Sequence, residues 1–562
     1  MNNERPLATL SRRAFLRFSG MSAAFLTLGG TSSLLSSCIA PQTTRAPGQP
    51  APSTTTFTPD LEIALTATET TMQLLPGPAT KVLSYQGEVL KGDPGAVVAV
   101  HGSYLGPIIR TRTGQKVRIR FKNNLSEASN IHWHGVITPP EMDGHPRDLA
   151  AAKGEYIYEF EVRNRAGTYW FHPHAHERTA EQAYFGLAGL LIVNDAEEDQ
   201  IALPSGAQEI PLVLQDRRFD AENQFVYIAG DTADAMTERM MGFLGERILV
   251  NGQPDVTLQV ATRAYRLRLL NGSNARIFKL AWNNEMPMIV LATDGGLLEK
   301  PVERPYVMLS PGERLDVWAD FRSQPVGTEI KLQSLAYSGV EAGMMEHMAI
   351  LPNGALFDVL TVKVDKAEAE TVTLPTQLAT MERYQAADAA NQNVPRQFIL
   401  SMDSNMNWTI NGRTFGMDEV AADEQIAFGA LEVWEFVNAM PAGMVSAANN
   451  PHAGHGAQGA TGTMQMQSTM MGGMQDFMAH PMHLHGVQFQ VVERQIAEAQ
   501  RAGWETVKDG YVDEGWKDTV LVMPGERVKI AVRFADYRGL YVYHCHNLEH
   551  EDMGMMRNYL VA

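Results

Sequence analysis

The sequence predicts an all-β protein built from three consecutive β-sandwich domains. Short runs of alternating apolar and polar residues stand between turns rich in Gly, Pro and Asn, and little of the chain has the 3.6-residue period of a helix. Three similar turn-and-strand units recur roughly two hundred residues apart, as in a triplicated domain. A length of 562 residues provides for three or four domains, so a single compact module is not expected.

Three predicted strands show the alternation most clearly. Every second residue in them is apolar, so we expect one face of each strand to be buried and the other to be wet. The three strands are 116–121, 265–269 and 527–534.

Each domain copy is marked by a turn ahead of such a strand, at Gly114, Gly312 and Gly525. The first and third copies also share histidine motifs that the middle copy lacks. Polar stretches at 196–200 and 366–377 separate the copies. The predicted domains are 61–200, 201–370 and 371–562.

The first 37 residues have the pattern of a twin-arginine signal peptide. Arg12 and Arg13 precede a moderately apolar stretch that Gly and Ser residues interrupt too often for a membrane anchor. Residues 35–38 are similar to a bacterial lipobox, in which Cys38 would carry the lipid. We expect export to the periplasm, with or without a lipid anchor at Cys38, and a flexible tether over 38–60.

The composition excludes some classes of function and of fold stabilisation. There are 46 Lys and Arg residues against 64 Asp and Glu, and the net charge of −18 repels a phosphate backbone, so nucleic acid is not an expected partner. Cys38 and Cys545 are the only cysteines, so there is no disulfide framework. The 30 methionines are unusually numerous and clustered, which indicates a role for thioether sulfur.

Many histidines occur in pairs separated by one residue. Random placement of 16 histidines gives about 0.5 such pairs, whereas five occur. Residues i and i+2 of a strand lie on the same face, so each pair presents two imidazoles side by side. A lone histidine is commonly a satisfied core residue, but four duplicated pairs indicate a nitrogen site for Zn, Cu, Fe or Ni.

Cys545 decides between these metals. In a strand its sulfur faces away from the side of His544 and His546, so one strand serves a thiolate site on one face and an imidazole site on the other. A Cys, two His and a distant Met form a blue-copper electron-transfer site, with Met as the weak axial ligand. A buried structural cysteine is the alternative, but it does not explain the flanking histidines. The predicted blue-copper ligands are His480, Cys545, His550 and Met555.

With these motifs the chain resembles the multicopper oxidases. It is most similar to three-domain bacterial periplasmic members, which include cuprous oxidases and laccase-like enzymes. The resemblance extends over nearly the whole chain after the export segment, and it implies that each domain is a cupredoxin-like Greek-key sandwich or barrel. The motifs that carry it are His-Trp-His-Gly at 132–135, Phe-His-Pro-His at 171–174, His-Pro-Met-His-Leu-His-Gly at 480–486 and His-Cys-His at 544–546.

The resemblance implies four copper ions. One type-1 ion would take the blue-copper ligands named above. The other three ions would lie at the seam between the first and third domains. Their implied ligands are His132 and His483 for type 2, His134, His172 and His546 for one type-3 ion, and His174, His485 and His544 for the other.

The implied reaction couples four one-electron oxidations of a donor to the reduction of O2 to two waters. Asp143 and Glu551 match acidic residues that the family uses for proton delivery near the cluster. The alternative is that both are solvated surface acids. A monomer is expected.

A cluster of methionines indicates the identity of the electron donor. Nine methionines lie between residues 440 and 482, around His480, among residues that offer little to pack against. Core filling is the common role of methionine, but thioethers also select Cu(I). The leading hypothesis is Cu(I) oxidation in periplasmic copper tolerance. The alternatives are a laccase-type oxidase of phenols and, from another class, a non-catalytic copper-binding or division-associated protein with the same fold.

Overall fold

The computed structural model describes residues 57–230, 232–340, 349–438 and 478–562. The described chain is mostly β-strand, arranged in six sheets, and the predicted all-β class of three cupredoxin-like domains is confirmed. The predicted signal peptide, Cys38, most of the tether and residues 439–477 of the methionine-rich segment lie outside the described residues.

The first domain consists of two sheets, with strand orders β2-β1-β5-β7 and β3-β4-β9-β8-β6. A core of aliphatic and aromatic side chains, including Ile119, Trp133 and Phe171, lies inside it. Its strands are β1 (Leu61–Met72), β2 (Thr80–Lys91), β3 (Val97–Val98), β4 (Ile108–Arg112), β5 (Lys116–Asn123), β6 (His132–His134), β7 (Glu155–Glu161), β8 (Gly167–His172) and β9 (Gly189–Asn194).

The middle domain has a seven-stranded sheet in the order β12-β11-β10-β14-β19-β16-β17 and a five-stranded sheet in the order β13-β21-β20-β15-β18. Its strands are β10 (Glu209–Arg217), β11 (Arg247–Val250), β12 (Gln253–Pro254), β13 (Thr257–Ala261), β14 (Ala264–Asn271), β15 (Phe278–Trp282), β16 (Met288–Thr293), β17 (Gly296–Arg304), β18 (Val307–Leu309), β19 (Arg314–Asp320), β20 (Glu329–Ser334) and β21 (Phe357–Lys366).

The third domain has two five-stranded sheets, in the orders β23-β22-β25-β29-β27 and β24-β31-β30-β26-β28. Its strands are β22 (Arg396–Met402), β23 (Trp408–Ile410), β24 (Gln425–Ile426), β25 (Leu431–Val437), β26 (His480–Leu484), β27 (Phe489–Ile496), β28 (Thr519–Val522), β29 (Glu526–Arg533), β30 (Gly539–Cys545) and β31 (Met556–Val561).

The three domains repeat one pairing. In each of them the first strand of the domain pairs in parallel with an inner strand of the same sheet: β1 with β5, β10 with β14, and β22 with β25. This shared topology agrees with a triplicated domain. The strands also fall inside the limits 61–200, 201–370 and 371–562, which themselves stay predictions.

The predicted alternation holds in β5, where Val117, Ile119 and Phe121 are buried. The same expectation is wrong for the strand at 265–269. Every residue of β14 is buried, including Arg266 and Arg268, whose guanidinium groups pair with the buried carboxylate of Asp316. A buried charge is tolerated when it is paired in this way.

Four short α-helices occur in the described part of the chain. None of them is long and apolar enough to cross a membrane. Two of them, α2 and α4, lie beside the candidate site. The helices are α1 (Thr179–Phe185), α2 (Ala233–Met241), α3 (Arg501–Trp504) and α4 (Leu548–Asp552).

Candidate metal centre

Two pairs of antiparallel strands carry most of the predicted ligands. In the first domain, β6 pairs with β8 so that His132 stands opposite His172. In the third domain, β26 pairs with β30 so that His483 stands opposite His544 and Met482 opposite Cys545. Neighbouring side chains on each strand then point to opposite faces. The third-domain pair therefore faces the first domain with its histidines and its own core with Cys545.

Eight histidines from the first and third domains meet at the seam between these domains, all of them fully buried. We call them the histidine cluster: His132, His134, His172, His174, His483, His485, His544 and His546. Within it the Nε2 atoms of His132 and His483 lie 3.3 Å apart.

The two predicted type-3 sets are also brought together. The Nδ1 atom of His134 lies 3.4 Å from Nε2 of His172, and His546 lies in the same group. The Nε2 atom of His544 lies 3.2 Å from that of His174 and 3.1 Å from that of His485.

Hydrogen bonds outside the cluster fix which ring nitrogen faces inward. The Nδ1 atoms of His132 and His483 donate to the backbone carbonyls of Asp143 and Asp518, at 2.7 and 2.8 Å. Nδ1 of His485 donates to Oδ2 of Asp143 at 2.7 Å. An imidazole that donates its outer N–H in this way keeps a lone pair on the inner nitrogen. Inner lone pairs that converge cannot satisfy one another, so the arrangement fits a cation between them.

Electrostatics agree with this fit. Burial lowers the pKa of seven of the eight cluster histidines, and neighbouring imidazoles lower most of these pKa values further. The pKa of His172 falls to about 4. These rings are therefore neutral at ordinary pH, which is the state that binds a metal. Both ring nitrogens of His546 have no hydrogen-bond partner among the described residues.

The predicted blue-copper ligands form a second group, inside the third domain. The Sγ atom of Cys545 lies 3.5 Å from Nδ1 of His480 and 3.6 Å from Nδ1 of His550. Met555 is fully buried, and its backbone N–H donates to the carbonyl of His550. Burial raises the pKa of the Cys545 thiol, and a bound cation reverses that effect because it favours the thiolate. We call these four residues the thiolate group.

Helix α2 of the middle domain covers the thiolate group. The backbone carbonyl of Met240 accepts hydrogen bonds from Nε2 of His550 at 2.9 Å and from Nε1 of Trp408 at 3.1 Å. The Trp408 ring also packs against both histidines of the group, with centroid separations of 4.9 Å to His480 and 4.5 Å to His550. The outer edge of His550 therefore contacts protein backbone.

The two acids predicted for proton delivery are both buried beside the cluster, so they are not solvated surface acids. Asp143 bonds to His485, its Oδ1 has no hydrogen-bond partner among the described residues, and burial raises its pKa. Oε2 of Glu551 lies 3.0 Å from Nδ1 of His544. Burial raises the pKa of Glu551, but His174 and His544 outweigh this effect and bring the pKa to about 2.

Two contacts at the site are not predicted by the sequence. Asp518 accepts a hydrogen bond from Nε2 of His134 at 3.0 Å, and Met240 supplies the carbonyl that covers His550. Asp518 stands in a Trp-Lys-Asp-Thr motif at 516–519 that adds to the family resemblance, but its partner is 384 positions away. The Met240 contact is made by the backbone, so residue type gives no signal for it.

The chain is similar in sequence and in fold to several known proteins. Models of the family described as multicopper oxidase match residues 82–198 and 388–562. Bilirubin oxidase from Albifimbria verrucaria is 30% identical over 468 residues, covering 82% of this chain and 72% of that protein. The crystal structure of the multicopper oxidase McoA from Aquifex aeolicus is 33% identical, with a TM-score of 0.68, covering 93% of this chain and 100% of that chain. A multicopper oxidase from Campylobacter jejuni, a metallo-oxidase, is 26% identical, with a TM-score of 0.65, covering 89% and 91% of the two chains.

Proposed function

The chain belongs to the multicopper oxidase family and is therefore an oxidoreductase, and we propose that it oxidises Cu(I) with O2 as the electron acceptor. The proposal includes four copper ions. One would be held by the thiolate group and three by the histidine cluster, in the sets implied by the sequence. The convergence of all ten predicted histidines on two buried sites supports this assignment and disfavours the non-catalytic alternative.

When bound, copper would supply one-electron redox chemistry at both groups, and the four ions together would store the four electrons that reduce O2 to two waters. The chain itself links the two groups covalently, because Cys545 stands between His544 and His546. Burial of every ligand excludes bulk water from both groups.

Asp143 and Glu551 are proposed to hold and move protons. Oδ1 of Asp143 is buried without a hydrogen-bond partner among the described residues, while Oδ2 is held by His485. One oxygen of Asp143 is thus anchored and the other is available to carry a proton. Glu551 lies against two other histidines of the cluster, His174 and His544. Two acids at separate ligands are suited to deliver the protons that water formation consumes.

The covered edge of His550 carries the proposal that the donor is Cu(I). A phenol that gave its electron directly to His550 would have to reach Nε2, which is already bonded to the carbonyl of Met240. The covering helix α2 bears two further methionines, of which Met236 is 39% exposed and Met241 is half-buried. Thioethers select Cu(I), so the cover offers a soft ligand surface at the site of electron entry.

A paired substitution tests the donor. We expect M236L together with M241L to lower kcat/KM for Cu(I) by about tenfold, because leucine lacks the thioether. Phenol oxidation should be unchanged, because leucine has a volume similar to that of methionine. M417L is the matched control, since Met417 is 38% exposed and lies outside α2. Unchanged Cu(I) kinetics in the double variant, or an equal loss in M417L, would refute a thioether role at α2.

Deletion of residues 442–475 tests the rest of the methionine-rich segment in the same assay. The segment lies outside the described residues except for its end, where Met478 and Met482 are buried in the third-domain core. These two residues are core filler, so the proposed Cu(I) contacts lie upstream of them. Loss of the Cu(I) activity alone supports the proposal, and an unchanged Cu(I) rate contradicts it.

A phenol remains the second candidate donor because of one cavity. A space of about 590 Å³, lined by Tyr227, Glu238 and Met241 among others, lies against α2. Its volume suits an aromatic molecule. A phenol kcat/KM above that for Cu(I), lowered by a Y227W substitution that fills the space, would favour this alternative.

We also propose twin-arginine export to the periplasm, which rests on the sequence of the first 37 residues alone. Replacing both arginines by lysine, R12K with R13K, should retain the precursor in the cytoplasm. Mass spectrometry of the mature N-terminus would show whether Cys38 carries a lipid, and hydrodynamic measurement would test the expected monomer.

A further inference from the structure

The middle domain supplies none of the predicted copper ligands, yet one of its turns lies against the histidine cluster. The turn joins β18 to β19 and contains Gly312. A Cβ atom at Gly312 would lie 3.1 Å from Cε1 of His134 and 3.1 Å from Cδ2 of His546. Such distances are tighter than ordinary van der Waals contact. The turn therefore forms a wall against two predicted type-3 ligands.

The next strand anchors this wall to the third domain. Arg314 is fully buried, and its two terminal nitrogens donate to Oδ1 and Oδ2 of Asp518, at 2.7 and 2.5 Å. The remaining guanidinium N–H groups donate to the backbone carbonyls of Thr168, Gly312 and Asp294. All five donors of the guanidinium are used, so its position is fixed in three dimensions.

Asp518 in turn orients two rings of the cluster. Its Oδ1 accepts from Nε2 of His134, and its backbone carbonyl accepts from Nδ1 of His483. His134 differs from His132, His483 and His485, because it donates outward through Nε2 and presents Nδ1 to the cluster. Asp518 is the carboxylate that fixes this reversed orientation, and Arg314 is the cation that fixes Asp518.

We propose that the middle-domain turn at 310–314 is a positioning element of the histidine cluster, in which Gly312 supports His134 and His546 and Arg314 orients His134 through Asp518. The inference rests on the proposed copper-binding role of the cluster and adds a third domain to its construction. It predicts that changes in this turn alter copper binding at the cluster and leave the thiolate group intact.

A glycine substitution provides the cleaner test. Gly114 and Gly312 occupy corresponding turns, with φ of 84° and 85°, but a Cβ at Gly114 would meet nothing within 4 Å. G312A and G114A thus introduce the same backbone strain, and only G312A presses on histidines. We expect G312A to weaken copper binding at the cluster about 10- to 100-fold, measured as the number of copper ions bound per chain over a series of free-copper concentrations. The visible thiolate absorption should stay, and G114A should match the wild type in both readouts.

Substitution of the arginine is an independent second test. R314M removes the cation that holds Asp518, whereas R268M removes an equally buried arginine of the neighbouring strand β14 whose bonds go to Asp316, Glu209 and Thr168. R314M leaves Asp518 without its arginine, whereas in R268M Asp316 keeps Arg266 as its cation, and both variants are destabilised because each loses a buried ion pair. R314M is expected to lose cluster copper with the thiolate absorption unchanged, and R268M is expected to keep both. R314K, which retains the charge without the paired donors, should fall between R314M and the wild type.

The two tests separate the possible failures. Cluster copper that is equal in wild type, G312A and R314M overturns the positioning role, and so does an equal loss in the variants and their controls. Wild-type protein that takes up no copper at all overturns the proposed function itself.

Discussion

The thiolate group and the histidine cluster share a strand but are built in different ways. All four residues of the thiolate group belong to the third domain, within residues 480–555, and they pack in its core beside Trp408. The cluster combines residues as far apart in the sequence as His132 and His546, from two domains, and its surroundings include the middle domain. The predicted ligands of one site therefore come from one domain, whereas those of the other come together only when two domains dock.

The polar surroundings of the two sites differ in the same way. In the cluster, carbonyls and carboxylates such as those of Asp143 and Asp518 orient the rings from outside. In the thiolate group the main restraint is aromatic packing, and the outer nitrogen of His550 bonds to the helix that covers it. Orientation by hydrogen bonds fixes which ring nitrogen is free, while apolar burial controls access and the local dielectric. Substitutions in each site are expected to separate these two kinds of support.

Removing the sulfur is expected to have the largest effect. C545S replaces the thiol by a hydroxyl of similar size, which is a poor ligand for copper at this group. Oxidase activity should fall below detection, the intense visible absorption should disappear, and one copper per chain should be lost. The cluster should keep its copper, because His544 and His546 remain in place on the same strand. Loss of the cluster copper as well would show that the two sites do not assemble independently.

Changing the buried acid beside the cluster is expected to have the next largest effect. D143N keeps an oxygen that accepts from Nδ1 of His485, but its amide does not titrate near neutral pH, so the ring should stay oriented while proton delivery is lost. O2 consumption should fall about 10²-fold with copper content unchanged. D143A removes both functions and should also lower copper content. Copper loss in D143N equal to that in D143A would indicate a positioning role alone.

The sequence predicted far more of the ligands than of their supports. Side chains in a strand alternate between its two faces, so the sequence alone places both histidines of a His-x-His pair on one face. The same rule places Cys545 on the face opposite to His544 and His546. The family resemblance then assigns each ring to a group. Arg314 and Asp518 carry no such local signal, since their contact joins residues 204 positions apart. The burial of Arg266 and Arg268 was missed for the same reason: a pattern of polar residues does not show which ones find a buried partner.

Loosening the cover of the thiolate group is expected to have the smallest effect. W408F keeps an aromatic ring against His480 and His550 but removes the N–H that donates to the carbonyl of Met240. The free energy of unfolding should fall by about 2 kcal/mol, from the lost hydrogen bond and the smaller side chain. In W408F the carbonyl of Met240 loses the Trp408 donor and keeps the His550 donor. The visible absorption and the reduction potential of the thiolate group should therefore shift, while the signals of the cluster stay unchanged. W434F is the matched control, since Trp434 is equally buried in the same core and donates to Glu432 instead. It should cost similar stability without the spectral shift, and an equal shift in W434F would mean that core packing, not the covering helix, sets the properties of the thiolate site.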